Sequence, residues 1–586
     1  MRFIYGFLAI VGGLTIVLIA GVVAVVIWWS PSAPTPPDHI VLKLDLRNAP
    51  VEATGNDGLQ SLLSEEHPVL FDVIGTIQQA RNDERVSGML LLLDDSNPGI
   101  AATQELRESI AAFRASGKFV VAFADSFGEG GNGTGAYYLA SSADEIWLQP
   151  SGDLALTGIS VETPFLKGAL DKIGVSFQGG QRYEYKDAPN SLTENDYTQA
   201  HRENMQQLVD NLLAQIVADI AKARALPADA VRKLIDSAPY GAADAKLAKL
   251  VDRIGYRDEV DAYVRQRGGA GADLFDYDDY RRTIDKPYSK GPVIALVRGV
   301  GAITGGKSAY SLAGDESTMG ADDVVEALRT AANDSSVRAI ILRIDSPGGS
   351  YVASDTIYRE VARARAKGKP VIVSMGNTAA SGGYFMALPA DLIVASPGTI
   401  TGSIGVFGYK PVADQLLNSL GINMGQIKAG ANAGMDSPFR SFTPDQLAKL
   451  NRSLDRIYAD FTKKAGDARK ISLQQMDNIA RGRIWTGLEA KRLGLVDDLG
   501  GLTLAIGYAK AAAGIEPASG VQLKLLPRPK SPFDKIWSRL FDSDSSQVRT
   551  LKPVLQYAAA LGRQLRELGI SDDRGVLSMP PMTLHY

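Results

Sequence analysis

The sequence predicts an α/β chain of two tandem repeats behind an N-terminal transmembrane helix. Three observations predict it: an uncharged apolar run at the start, short segments that recur at a nearly fixed offset, and apolar strands alternating with helical patterns inside each copy. From Ile4 to Trp29 no residue is charged. At about 1.5 Å per residue such a run crosses a hydrocarbon core of about 30 Å. It is longer than the roughly 7–15 apolar residues of a cleaved secretory signal, and no small-x-small cleavage site follows before the Pro-rich stretch 30–37. Residues 1–37 therefore read as an uncleaved anchor and linker, with Trp28 and Trp29 at the far interface. Arg2 and the N-terminal amine favour the N-terminus inside, which puts the bulk of the chain on the far side of the membrane.

Next comes the duplication. Asn82-Asp83 and Val86, then the run Met89–Leu93 and Asp94, recur as Asn333-Asp334 and Val337, then Ile340–Ile344 and Asp345, an offset of 251. From Thr134-Gly135-Ala136-Tyr137 against Ser381-Gly382-Gly383-Tyr384 the offset is 247. It holds through Asp144/Asp391, Pro150/Pro397, Gly158/Gly405 and Gly174/Gly421, and becomes 245 at Ala245/Ala490 and Asp252/Asp497. In the second copy Val293–Val297, Ala339–Ile344, Val371–Ser374 and Leu392–Ala395 read as strands, and Ala321–Ala331 and Ala353–Ala366 as helices. That alternation predicts βαβ units and a mostly parallel sheet. Long helices close each copy at about Gln199–Ala223 and Asp445–Lys464. The expected organisation is residues 1–37 as anchor and linker, 38–285 as N-terminal repeat, 286–520 as C-terminal repeat and 521–586 as a tail without counterpart. Gly-rich Arg267–Ala272 is the candidate linker, and Phe533, Ile536, Trp537, Leu540 and Phe541 form a helical apolar stripe in the tail.

Composition narrows the chemistry. Lys and Arg number 62 and Asp and Glu 66, a net charge of −4, so no basic excess points to nucleic acid. Cysteine is absent, which excludes disulfides, thiolate metal sites and a cysteine nucleophile. Only His39, His67, His201 and His585 are available for histidine chemistry, and no metal or cofactor is expected.

Three small-residue turns could carry catalysis. Asp345-Ser346-Pro347-Gly348-Gly349 follows a strand, and its glycines suit either an oxyanion hole or a tight turn. Ala380-Ser381-Gly382 opens a helix after the next strand, so Ser381 is either a nucleophile beside the Gly382 N–H or a packing residue. Thr401-Gly402-Ser403 is the third. A nucleophilic serine needs a base, either His67 or His201 approaching over long range or a lysine of depressed pKa. The repeats point to one lysine, Lys186, which read by itself is as readily a solvated surface lysine. Tyr185-Lys186 in the first copy has Met435 at about the corresponding place, whereas Thr134 and Leu156 stand where the second copy has Ser381 and Ser403. Such complementary loss predicts one composite site per chain.

These motifs, with Trp485-Thr486-Gly487 and Gly494-Leu495-Val496-Asp497, resemble the long, duplicated form of the signal peptide peptidase A family over nearly all of the chain to about residue 515. The resemblance implies two crotonase-like, Clp-protease-like α/β repeats and a Ser/Lys dyad. It assigns Ser381 as nucleophile, Lys186 as base, Ser403 as the residue orienting the lysine, and Gly348, Gly349 and Gly382 as oxyanion donors. It further implies remnant signal peptides or other apolar peptides as substrates, membrane attachment, and a homo-oligomer, a tetramer in the family. Two other readings of the same fold are a crotonase-type acyl-CoA hydratase or isomerase and a catalytically inactive membrane scaffold.

Overall fold

The computed structural model describes residues 35–53, 68–308, 318–527, 576–579 and 582–586. The expected anchor Ile4–Trp29, His67 and the stripe Phe533–Phe541 lie outside these residues. Among the described residues, no helix is long and apolar enough to cross a membrane.

Strands buried on both faces need no polar alternation, and the apolar runs behave accordingly. Val86–Leu93 is buried at every position but Ser87, and Val337–Ser346 at every position but Arg338 and Asp345. Each half builds a parallel sheet of the same strand order. The first runs Asp273–Asp276, Ile40–Asp45, Val86–Leu93, Phe119–Ala124, Glu145–Leu148, Arg253–Ile254. The second runs Gln522–Leu526, Val293–Val300, Val337–Ser346, Val371–Ala380, Leu392–Ala395, Asp498–Leu499. Two expectations are corrected by this order. Arg267–Ala272 is no linker: it ends the helix Arg257–Gly268 and turns the chain into Asp273–Asp276, an edge strand of the first sheet. The counterpart between halves also runs past residue 521, because Gln522–Leu526 takes the same edge position in the second sheet.

Long helices Gln199–Arg224 and Pro444–Arg469 close the two halves. Their starts are fixed by threonine caps, since Thr198 accepts from the His201 N–H and Thr443 from the Gln446 N–H, satisfying donors the helix itself cannot.

A third sheet joins the halves. Its order is Thr318–Gly320, Ala302–Thr304, Gly348–Ser350, Val576–Ser578, Val406–Val412, Ser176–Arg182. The last strand belongs to the first half and runs antiparallel to Val406–Val412 from Arg182 opposite Val406 to Ser176 opposite Val412.

A buried ion cluster also spans the junction. Arg343 donates to Glu105 at 2.7 Å and to Glu52 at 3.1 Å, while the Leu502 N–H donates to Glu105 at 2.8 Å. Burial works against the charge on Arg343, but Glu105 and Glu52 hold its guanidinium above its ordinary pKa. Removing one partner of such a set leaves the other charges buried and uncompensated. Arg343→Met is expected to destabilise the chain by about 3–5 kcal/mol. Denaturant unfolding checks this, and an unchanged midpoint would show that the cluster does not hold the halves together.

Candidate active site

Ser381 stands between the strand Val371–Ala380 and the helix Gly382–Ala387 with φ 53° and ψ −111°. Non-glycine residues rarely adopt such a backbone, and they persist there only when their surroundings hold them. Here the Ser381 N–H donates to the Gly402 carbonyl and the Ser381 carbonyl accepts from the Phe385 N–H, both at 2.8 Å. The sharp turn lifts the hydroxyl off the strand. Ser403 has a left-handed backbone too, φ 50°, and its N–H donates to the Arg483 carbonyl at 2.8 Å.

Lys186 arrives from the other half. The strand Ser176–Arg182 delivers it, and several contacts fix the delivery. Arg182 pairs with Asp455 at 2.5 Å, the N–H groups of Tyr183 and Tyr185 both donate to the Arg481 carbonyl at 3.2 Å, and the Arg483 guanidinium lies 3.9 Å from the Tyr185 ring centre. The backbone passes so close to Gly482 that a Cβ there would fall 2.3 Å from the Lys186 nitrogen. Glycine is the one residue that fits, also because φ at 482 is +90°.

The three side chains meet in a sealed space. Lys186 Nζ lies 2.7 Å from Ser381 Oγ, 2.8 Å from Ser403 Oγ and 3.0 Å from the Ser403 carbonyl oxygen. All three residues have 0% exposure. An ammonium fits these distances by donating to all three oxygens, and a neutral amine by donating twice to Ser403 and accepting from the Ser381 hydroxyl. Burial drives the Lys186 pKa down to about 7, against the opposing pull of Asp187. Burial likewise raises the Asp187 carboxyl to about 7, although Asn204 donates to it at 3.1 Å.

The glycines expected as oxyanion donors cluster beside Ser381. A Cβ on Gly382 would lie 3.2 Å from the Gly349 nitrogen, so these two backbones adjoin. Gly348 differs, because its N–H donates to Ser346 Oγ at 3.1 Å. In the first half the corresponding positions carry no such chemistry. Thr134 Oγ1 accepts from the Gly158 N–H at 2.9 Å, Leu156 is buried, and Met435 is buried where the second half would place a lysine.

Behind Lys186 lies a polar group of Asp187, Asn204 and His201, of which the sequence offered only His201, as a base for the serine. Asn204 links Asp187 to the Ile484 N–H, and His201 Nε2 stands 3.8 Å from Asp187. Burial lowers the His201 pKa to about 4, so the ring is neutral. The group on Ser381 Oγ is Lys186, and His201 faces Asp187 instead. Residues 201 and 204 lie one helical turn apart at the start of Gln199–Arg224. That spacing is the available signal, and without knowledge of where the helix docks it points nowhere.

Residues 112–270 and 363–516 match the family described as Peptidase family S49, and residues 309–393 match Clp protease. The chain is 33% identical over 503 residues to "Serine protease SPPA, chloroplastic" of Arabidopsis thaliana, covering 84% of this chain and 73% of that one. It is 34% identical over 457 residues to "Protease 4" of Salmonella typhi, covering 76% and 71%. Against "Protease 4" of Haemophilus influenzae the identity is 32% over 490 residues, covering 80% and 77%.

Proposed function

The chain belongs to peptidase family S49 and is a serine peptidase, and on that premise we propose that it is a membrane-anchored endopeptidase using a Ser381/Lys186 dyad to degrade remnant signal peptides and similar apolar segments. The observation that carries the reading is the 2.7 Å contact between Lys186 Nζ and Ser381 Oγ in a fully buried setting.

Ser381 Oγ attacks the scissile carbonyl carbon while Lys186 Nζ accepts the hydroxyl proton. The carbonyl oxygen, now negative, takes hydrogen bonds from the Gly349 and Gly382 N–H groups, and losing one such donor costs about 3 kcal/mol. As the C–N bond breaks, Lys186 gives its proton to the leaving amine. Water then attacks the acyl-enzyme with Lys186 again as base, regenerating Ser381. Ser403 keeps the lone pair of Lys186 aimed at Ser381 by accepting both N–H bonds.

Anchorage in the bacterial inner membrane, with the bulk on the periplasmic side, rests on the uncharged run Ile4–Trp29, which would keep the enzyme beside apolar peptides left in the bilayer. Homo-oligomerisation, a tetramer by the family resemblance, draws support from an exposed patch in the second repeat. The stretch 423–429 is the counterpart of the lysine-bearing strand Ser176–Arg182, but it is irregular and leaves Met424 and Ile427 exposed, with Ile422 exposed just before it. A second copy would cover them.

The test uses the full chain in detergent with an apolar peptide. Expected are peptide cleavage, covalent labelling of Ser381 by a fluorophosphonate, and a light-scattering mass that is a multiple of the monomer's 62.5 kDa. Hydration of an enoyl-CoA without labelling would favour acyl-CoA chemistry instead, and a monomeric mass would sink the oligomer.

A further inference from the structure

Asp187 follows the proposed base directly in the chain, and both residues have 0% exposure. Ionisable groups shut away together are least destabilising when their charges cancel. Asp187 Oδ2 accepts from Asn204 Nδ2 at 3.1 Å and lies 3.8 Å from His201 Nε2, while Oδ1 has no hydrogen-bond partner in the protein. Asn204 Oδ1 in turn accepts from the Ile484 N–H at 3.2 Å. The carboxyl is thus tied through Asn204 to the second half, yet poorly supplied with donors for a full negative charge.

The same stretch of the second half positions the amine. The Arg481 carbonyl accepts from the N–H groups of Tyr183 and Tyr185, Gly482 lies against the Lys186 backbone, the Arg483 carbonyl accepts from the Ser403 N–H, and Ile484 reaches Asn204. Four consecutive residues therefore set Ser403, the lysine and the carboxyl relative to one another.

The other charges on the surrounding elements are engaged elsewhere. His201 faces Asp187 from the helix Gln199–Arg224, and its ring is neutral above pH about 4. Glu184 pairs with Arg481, Arg202 with Asp196, and Glu203 with Arg483.

A lysine that works as a base changes charge during the reaction. When Lys186 takes the Ser381 proton it becomes a buried ammonium, and a buried ion without a counter-ion is strongly disfavoured. The Asp187 carboxylate, short of donors until then, gains a cation beside it at that moment. We infer that Asp187 is a positioning residue for the Lys186 base: its carboxylate, aligned by Asn204, is the counter-charge of the ammonium formed as Ser381 attacks. The proton moves from Ser381 Oγ to Lys186 Nζ and on to the leaving amine, and Asp187 keeps one charge throughout. The inference rests on the dyad reading above and adds to it a group that acts through Lys186 alone.

Asp187→Asn keeps the shape and removes the charge. The carboxylate raises the Lys186 pKa, so its loss should move the rising limb of kcat/KM to lower pH, by about one unit for an opposite charge close by. On the plateau above pH about 7 Asp187 is ionised. There kcat should fall by up to about tenfold, because an amine one unit less basic holds the transferred proton more weakly. KM for an apolar peptide should stay unchanged. The rate of fluorophosphonate labelling of Ser381 should show the same shifted limb, free of any effect of peptide binding. Asp187→Ser, smaller and also neutral, repeats the measurement with different packing. Both variants should have a higher denaturant midpoint than the unaltered chain at about pH 9, where an ionised buried carboxylate lowers stability. The inference is overturned if the limb stays in place or moves to higher pH. A midpoint that falls in both variants with the limb unmoved would mark a merely structural side chain. Lys186→Met separates the two readings. Activity in that variant ends the dyad itself, whereas its loss together with an unmoved limb in Asp187→Asn ends only the role of Asp187.

Discussion

Ser381→Ala is expected to lower peptide hydrolysis by about 10⁴- to 10⁶-fold and to abolish fluorophosphonate labelling, with little change in stability. The magnitude follows from removing a nucleophile that acts as a unit with its base. Little stability is lost because the hydroxyl's partner in the structure is the Lys186 amine, which keeps its contacts with both oxygens of Ser403. Alanine also keeps a Cβ, so the left-handed backbone of residue 381 is no more strained than before. Full activity in this variant would mean that the nucleophile lies elsewhere.

Lys186 gives the second large effect, and it carries a pH signature. Lys186→Met removes the base, and Lys186→Arg should be as inactive, because a guanidinium does not give up its proton in a protein. In the unaltered chain kcat/KM should rise as pH increases through about 7, where the buried amine becomes neutral, and level off above. Activity falling steeply above about pH 6 would rule the lysine out as base. Stability should carry the same mark. The folded-state pKa of about 7 lies below the ordinary 10.5, so between these values the unfolded chain binds more protons and stability climbs with pH. Lys186→Met should flatten that climb in denaturant midpoints taken at pH 7 and 9.5. Asp187 does not mimic it, since its raised pKa of about 7 makes stability fall with pH at and below that value.

The core of the fold is legible in the sequence because it is made of apolar runs that repeat. Leu392–Ala395 has the expected limits, and Val293–Val300 and Val337–Ser346 extend the expected runs by a few residues at their ends. Edge elements are less legible. Gln522–Leu526 is five residues with Leu523 buried on one face and Leu526 on the other, so it shows neither clean alternation nor an apolar run, and Val576–Ser578 is too short to carry a periodic signal. The sequence puts Ser381, Ser403 and Lys186 on a short candidate roster through their complementary loss between halves. It says nothing of Gly482, whose role arises from a close approach between segments almost 300 residues apart, nor of the Asn204 bridge to Asp187. Contacts of that kind are products of docking, and local pattern does not encode them.

The separation of Lys186 and Ser381 has a consequence for the cell during synthesis. The two residues that touch are 195 positions apart and come from different halves, Lys186 just after Ser176–Arg182 and Ser381 just after Val371–Ala380. As the chain emerges, the base is made first and waits without a nucleophile. When the serine follows, it is harmless until its own half has folded and seated against the other. With the proposed dyad, a truncated or half-folded chain is chemically inert, and an enzyme proposed to cut apolar segments passes through its own unfolded stage without attacking its neighbours.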